Sequence, residues 1–330
     1  MEQPNWFTYV KLKGLKLSPE EFGNKEPSIK EIYDLVVSKR LYIETKTMVA
    51  TKFYDGVHWL SKETWDKAKN VILESSYEGH EGATFTASKG TWLIIGEPRP
   101  IEPPIGAPKN EKYVVVETKL SRDLGLEPFI IEEKFVFKGI RGRDVKIGKV
   151  ARYSYFIAAY TRDARPLKED ELKQTYLWKN YLSNPDVIKV LESTSKHLKK
   201  EIWHLERMNK DVLSKYKVVW RDVAKGFIPA FEDTGAIPDH KVHYTNVSSP
   251  QEGYYLLAIL LAPQINAVVQ ELSSWIGGAK PRFIKYFKIP RFNPRNKVHV
   301  ELSRLGRVVH ERGYITEEEK ETIKNLVERL

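Results

Sequence analysis

The sequence predicts an α+β fold, with mixed or antiparallel sheets, a central helical segment and a C-terminal helical pair. Three observations lead there. Short β-branched and aromatic runs recur between residues 41 and 161, the composition of strands. From Lys168 to Lys215 the apolar spacing changes to 3 and 4, the period of a helix face. After Tyr254 come two apolar segments, a basic strip and two further amphipathic stretches.

In order, Ser28 with Glu31 three residues on has capping-box spacing and predicts a helix start. LYIETKTMVATKFYDG (Leu41 to Gly56) reads as one or two strands closed by an Asp-Gly turn. A helix is expected from Ser61 to Ser75, with Ser61 and Glu63 at its start. GATFTASKGTWLIIGEP (Gly82 to Pro98) alternates like a hairpin bent at Lys89-Gly90. The proline-rich PRPIEPPIGAP (Pro98 to Pro108) is the candidate boundary between an N-terminal region, 1–100, and a second region, 101–330.

Strands are then expected over Lys112–Leu120, Pro128–Ile140 and Ala151–Thr161. A helix ends at Asn184-Pro185. A longer one follows, with Val187, Val190, Leu191, Leu198, Ile202, Leu205 and Met208 along one face. Strand signals return at Val218–Val223 and His240–Val247. Val298, Leu302, Leu305 and Val309 form an apolar stripe. Thr316 and Glu319 make a second capping box before the last helix.

Of 330 residues, 41% are hydrophobic and 12% aromatic, enough for a sizeable core. The net charge of +10 favours an anionic partner, nucleic acid before membrane surface. With no cysteine, disulfides, Cys-based zinc sites and cysteine nucleophiles are excluded. That absence, three Met and abundant Lys and Glu suggest a hot-growing source. The start MEQPNWFTYVKLKG lacks signal-peptide layout, and YYLLAILLAP is too short for a bilayer, so a cytoplasmic protein with no membrane partner is expected.

GxGxxG, P-loop, GxSxG and HExxH are all missing. So is the Asn-Pro-Pro-aromatic motif of adenine methylation. Its nearest stretches, Ser183-Asn184-Pro185-Asp186 and Asn293-Pro294-Arg295-Asn296, lack the second proline and the aromatic. Three constellations are enzyme-like. Glu117-x-Lys119 after an apolar strand, with a distant Asp55, is the layout of a Mg²⁺-dependent nuclease; outward charges on a half-buried strand explain the same pattern. Asp239-His240-x-x-His243 would put its two histidines on opposite strand faces, which argues against a shared metal. His197 and His204 are seven apart on one expected helix face. No metal site is expected.

Two basic clusters carry more. Phe137 to Arg152 holds Lys138, Arg141, Arg143, Lys146, Lys149 and Arg152 against one acid, Asp144, with Gly139, Gly142 and Gly148 between. From Trp275 to Val300 there are seven cations (Lys280, Arg282, Lys285, Lys288, Arg291, Arg295, Lys297) and no acid. Such side chains grip phosphate or read base edges. The two clusters are expected to form two walls of a DNA groove, through Lys138, Arg141, Arg143, Lys146, Lys280, Arg282, Lys285, Arg291 and Arg295. The interleaved Phe283, Phe287 and Phe292 read as core.

The order of features from Pro104 to His310 resembles the C-terminal target-recognition domain of N6-adenine DNA methyltransferases and fused restriction–modification enzymes. Four segments carry the resemblance: PIGAPKNEKYVVVE (Pro104 to Glu117), FVFKGIRGRD (Phe135 to Asp144), KYKVVWRDVAKGFIPAFEDT (Lys215 to Thr234), and YYLLAILLAPQIN through GGAKPRFIKYFKIPRFNPRNKVHVELSRLGRVVH. The last is similar to that domain's closing pattern of an aromatic-Leu-Leu helix, a Gly-Gly and Arg-Phe loop, an Ile-Pro strand and a final helix. The resemblance covers about 200 residues and lacks the family's catalytic domain. It implies double-stranded DNA as one partner and a separate catalytic methyltransferase or restriction subunit as another. It implies no cofactor in this chain, S-adenosylmethionine being used by the partner. The alternatives are the Glu117/Lys119 nuclease and a protein-docking scaffold built on the helices of Leu172–Leu213.

Overall fold

The computed structural model describes residues 6–14, 28–37, 41–195 and 201–330. The first elements are β1 (Trp6–Gly14), α1 (Ile29–Val37), β2 (Leu41–Phe53), β3 (Gly56–Ser61), α2 (Lys62–Ala68), β4 (His80–Glu81) and β5 (Leu93–Ile94). Next come β6 (Arg99–Ile101), β7 (Tyr113–Val116), α3 (Lys119–Asp123), β8 (Phe129–Glu132), β9 (Val136–Ile140), β10 (Gly148–Lys149) and β11 (Ser154–Ile157). The centre holds α4 (Glu169–Lys173), α5 (Pro185–Ser195), β12 (Lys217–Arg221), β13 (Pro229–Glu232), β14 (Ile237–Pro238) and β15 (Val242–Asn246). The chain closes with α6 (Pro250–Leu260), α7 (Pro263–Ile276), α8 (Lys297–Arg312) and α9 (Glu317–Val327). The class is α+β, as expected.

Four sheets are present among the described residues: β1-β2-β3 and β6-β7-β8, both antiparallel, and two mixed ones, β10-β13-β12-β15-β4 and β14-β9-β11-β5. The five-stranded sheet is a wall between two hydrophobic cores. Successive strand residues face opposite sides, and here both sides are apolar. Val219, Ala230, Val242 and Tyr244 join one core, with Phe85, Trp92, Phe135 and Phe156. Val218, Trp220 and Phe231 join the other, with α6, α7 and α8. Ala83, Phe85, Trp92 and Ile94 thus pack in one cluster with Val114, Ile131 and Val219, across the proline-rich stretch.

The capping expectations hold. Ser28 and Glu31 exchange bonds at the start of α1, Ser61 accepts from Thr64 N at α2, and Thr316–Glu319 is a full capping box at α9. Asp55-Gly56 turns β2 into β3, with Gly56 at φ 138°. Leu302, Leu305 and Val309 are buried on α8.

Six local expectations change. The helix after Ser61 ends at Ala68, short of Ser75. Gly82–Pro98 is no hairpin: its flanks serve different sheets, β4 on β15 and β5 on β11. Ser88, Lys89 and Gly90, at φ 53°, 53° and 83°, coil the chain between them. The strand at Lys112 stops at Val116, because Thr118 caps α3. Pro128–Ile140 splits into β8 and β9 around a 3-10 turn. The central helix is described over Pro185–Ser195, Leu198 and His197 lie outside the described residues, and residues 201–210 are not helical. Beyond it, tertiary bonds replace the helix ladder: Leu205 N donates to the Tyr160 hydroxyl and Glu206 N to Thr84 Oγ1, each at 3.0 Å. Trp203, Leu205 and Met208 are buried all the same, so burial without a helix produced their spacing. The expected Ile-Pro strand reduces to one bridge, Ile72 with Phe287.

No single helix among the described residues is long and apolar enough to cross a membrane. The apolar pair α6 and α7 is bent by 66° and packs into the second core.

The contact between α6 and α8 depends on Gly306, where a Cβ would lie 1.9 Å from the Tyr254 carbonyl oxygen. A helix-interior Gly→Ala change alone stabilises by about 1 kcal/mol, but this clash is with backbone and outweighs it. Gly306→Ala should therefore lose about 2 kcal/mol or more in urea unfolding. A variant as stable as the parent would contradict the described helix contact.

Candidate nucleic-acid interface

The C-terminal end of β12 gathers the basic segments. Arg221 ends the strand, paired in register with Val242, and Asp222 leaves it buried. Asp222 N donates to the Lys241 carbonyl at 3.0 Å, and the Asp222 carbonyl accepts from Ala279 N at 2.8 Å. Trp220 Nε1 donates to the Ala279 carbonyl at 3.0 Å. This approach requires Gly278, at φ 127°, where a Cβ would come within 2.3 Å of Asp222 O. The 278–280 loop is thus bolted to the strand end by backbone bonds.

The Asp222 carboxylate then collects cations. Lys280 Nζ donates to Oδ1 at 2.8 Å, and the buried His243 Nε2 stands 3.2 Å from the same oxygen. Lys241 Nζ is 3.5 Å from Oδ2. Burial pushes the carboxyl upward, but the hydrogen bond from Lys280 and the nearby His243 ring bring it below its ordinary value. Burial also lowers the His243 pKa, against the pull of Asp222, which favours the neutral ring.

The Gly142–Asp144 turn lies against the same strand end. Arg221 Nε donates to the Val145 carbonyl at 2.8 Å, and Gly142 leaves room for the Lys241 carbonyl, 3.2 Å from where a Cβ would be. Buried Asp144 has Arg143 and Arg152 at 3.8 and 3.7 Å. Between the turn, β12 and the 239–241 segment is a cavity of about 380 Å³. It is lined by Arg141, Arg143, Arg221, Val223, Asp239 and Lys241, with Thr86 and Gly142. Asp239 is its one carboxylate. That group already accepts from Thr86 Oγ1 at 2.8 Å and lies 3.0 Å from His240 Nδ1.

Arg141, Arg143 and Lys280 therefore come together around β12. Of the sequence-derived positions only Arg141 and Arg143 line the cavity; Lys280 stays on Asp222 beside it, and the others lie elsewhere. Lys138 stands 3.7 Å over the Tyr153 ring and lines a separate cavity with Glu97, Glu133 and Arg162. Lys146 and Arg295 are exposed. Arg282 lies 3.6 Å from Asp55, Lys285 donates to Glu78 at 2.8 Å, and Arg291 lies 3.7 Å from Glu252 and over the Tyr77 ring. The strip has no acid in sequence, yet the fold sets acids from four distant segments against it. Phe283 and Phe287 are fully buried and Phe292 half-buried, as core residues should be.

The sequence reading missed Arg221, Asp222 and Lys241 as site residues. The one available signal was Arg-Asp directly after the apolar run VVW; nothing marked Lys241. Glu117 is held by Arg122, with Nε at 2.9 Å and Nη2 at 2.5 Å, and its carboxyl is lowered chiefly by that hydrogen bond. Lys119 sits on α3 and pairs with Asp123 at 2.9 Å. Among the described residues, no group of three or more His, Asp or Glu side chains is placed to hold a metal ion. His204 lies in a turn, not on a helix.

No protein-family model matches the chain, and no curated protein matches it. Among solved structures, the chain is similar to the Type IIL restriction–modification enzyme MmeI in complex with DNA. The identity is 9% and the TM-score 0.41, over 87% of this chain and 36% of that one. The chain thus spans little more than a third of that enzyme's length.

Replacing the Asp222 carboxylate by an amide leaves Lys280 without its buried counter-charge and keeps only a neutral acceptor. Asp222→Asn should cost about 2 kcal/mol at pH 7 in chemical denaturation. Because the folded-state pKa is lowered, this contribution is present above the unfolded value of about 3.9 and is lost as pH falls through the folded one. The gap between parent and variant should narrow steadily as pH falls below about 4. A gap independent of pH would contradict the ionic account.

Proposed function

We propose that the chain binds double-stranded DNA as the specificity part of an adenine-methylating restriction–modification system, acting with a separate catalytic subunit or domain in the cytoplasm. The observation that carries the reading is one cavity lined by four cations, Arg141, Arg143, Arg221 and Lys241, from three separate stretches of sequence. Its single carboxylate is already satisfied. Around it, exposed Arg143, Lys146 and Lys241 can follow a phosphate backbone. Lys280 acts as an anchor: clamped on Asp222, it fixes the 278–280 loop rather than reaching outward. Arg295, exposed ahead of α8, extends the positive surface.

A specificity module needs no nucleophile and no bound cofactor. In this reading S-adenosylmethionine belongs to the partner, which also turns the target adenine out of the stack. The resemblance of the Pro104–His310 segments to target-recognition domains supports the same assignment. The nuclease alternative is weakened because Glu117 and Lys119 are each engaged by a different neighbour.

Fluorescence anisotropy with a labelled duplex tests the proposal. With about four phosphate contacts, affinity should fall on the order of 100-fold between about 50 and 200 mM salt. Affinity that does not respond to salt would contradict it. In the same preparation, Mg²⁺ should leave the DNA intact; cleavage that disappears in Glu117→Ala would favour the nuclease instead.

A further inference from the structure

We infer that the cavity between the 141–143 turn, Arg221 and the 239–241 segment is a seat for one phosphodiester of a DNA backbone, with Arg141 as its principal ligand. The inference rests on the proposed DNA-binding function and assigns one site within it.

Arg141 is the exception among the half-buried arginines. Arg221 donates to the Val145 carbonyl, and Arg312 pairs with Glu319 and the Tyr314 carbonyl. The Arg141 side chain makes no hydrogen bond or ion pair with any described residue, although it is partly withdrawn from water. Burial, and then neighbouring Arg143, hold its pKa below the ordinary value; Asp144 and Asp239 oppose this only at a distance. A guanidinium carries five donors and no acceptor. Partly desolvating it without a partner is unfavourable, and an oxyanion placed in the cavity would relieve that.

The surroundings select the class of anion. Asp239 is engaged by Thr86 and His240, and its one negative charge is outnumbered by the four cations of the lining, so the cavity stays positive. Lys241 and Arg143 stand at the rim with side chains 55% and 61% exposed, and their long, loose ion pairs with Asp222 and Asp144, at 3.5 and 3.8 Å, leave donors for a second and third oxygen. A cavity of about 380 Å³ is large enough for a phosphate with part of its sugars. Val223, 74% exposed on the rim, offers apolar surface to deoxyribose C–H groups. Arg141 is recessed in the wall, so it suits a phosphate that enters the cavity better than a base edge deep in a groove. Phosphate contacts of this kind position a protein without reading sequence.

The test is a salt series on duplex binding by the full chain and by Arg141→Gln. The variant should bind about tenfold more weakly to every duplex sequence, and its salt slope should be smaller by about one. Its thermal midpoint should equal that of the parent, since Arg141 has no internal partner to lose; a clear drop would indicate a structural role and count against the seat. Arg141→Lys, which keeps the charge, should retain the slope. An unchanged slope in Arg141→Gln, with normal duplex binding by the parent, overturns the seat and leaves the DNA-binding function standing. If the parent binds no duplex, that function fails instead, and calorimetric titration with inorganic phosphate decides the seat. Binding by the parent that is lost in Arg141→Gln supports it, and no binding overturns it.

Discussion

Strand β12 is buried on both of its faces, and the rest of the structure depends on that. Val219 faces one core, while Val218 and Trp220 face the other. The pleat fixes this parity, and a register slip of one residue would exchange the two sets. Pairing with β13 on one side and β15 on the other leaves no free edge. A strand held on four sides ends in a defined place. The residues that leave it, Arg221 to Val223, are therefore positioned by the two cores and not by their own loop. The 278–280 loop is tied to this end by the Ala279–Asp222 main-chain bond and the Trp220 indole, and the Gly142–Asp144 turn by the Arg221 side chain on the Val145 carbonyl, so both basic segments inherit its rigidity.

Electrostatics inside this frame divides the cations by task. Asp222 is buried and takes three basic partners, which turns Lys280 inward as a structural clamp. Asp55, Glu78 and Glu252 pair with Arg282, Lys285 and Arg291, of which Arg282 and Arg291 stay exposed. These ion pairs reduce the outward field of a strip whose sequence is purely cationic. The cavity beside Arg141 is different. Four cations line it against one carboxylate, which is engaged by Thr86 and His240, so a positive balance remains directed at solvent. Positive potential in a concave site attracts polyanions more strongly than the same charge spread on a convex face.

Local chemistry was the legible part of the sequence. The capping boxes at Ser28 and Thr316, the Asp55-Gly56 turn and the stripe Leu302, Leu305 and Val309 depend on neighbours within a few residues, and each formed. What depended on distant partners was not legible. The helix expected at Leu205 and Met208 is replaced by bonds from Leu205 and Glu206 to Tyr160 and Thr84, which lie far away in sequence. The Gly82–Pro98 alternation was genuine, but its two halves belong to different sheets. At the site, the Arg141 to Arg143 turn was visible as a glycine-spaced basic run. Lys241 and Asp222 were not, because only the pairing of β12 with β15 brings them together. The acids that neutralise the 280–297 strip were hidden for the same reason.

The central claim is that segments remote in sequence form one DNA-facing surface at the end of β12. Amide hydrogen exchange with and without duplex DNA tests this most directly. DNA should slow exchange together in residues 141–146, 222–225 and 239–241, and leave α9 unchanged. Protection confined to α9 or to the β1-β2-β3 sheet, with none at these three segments, would contradict the account.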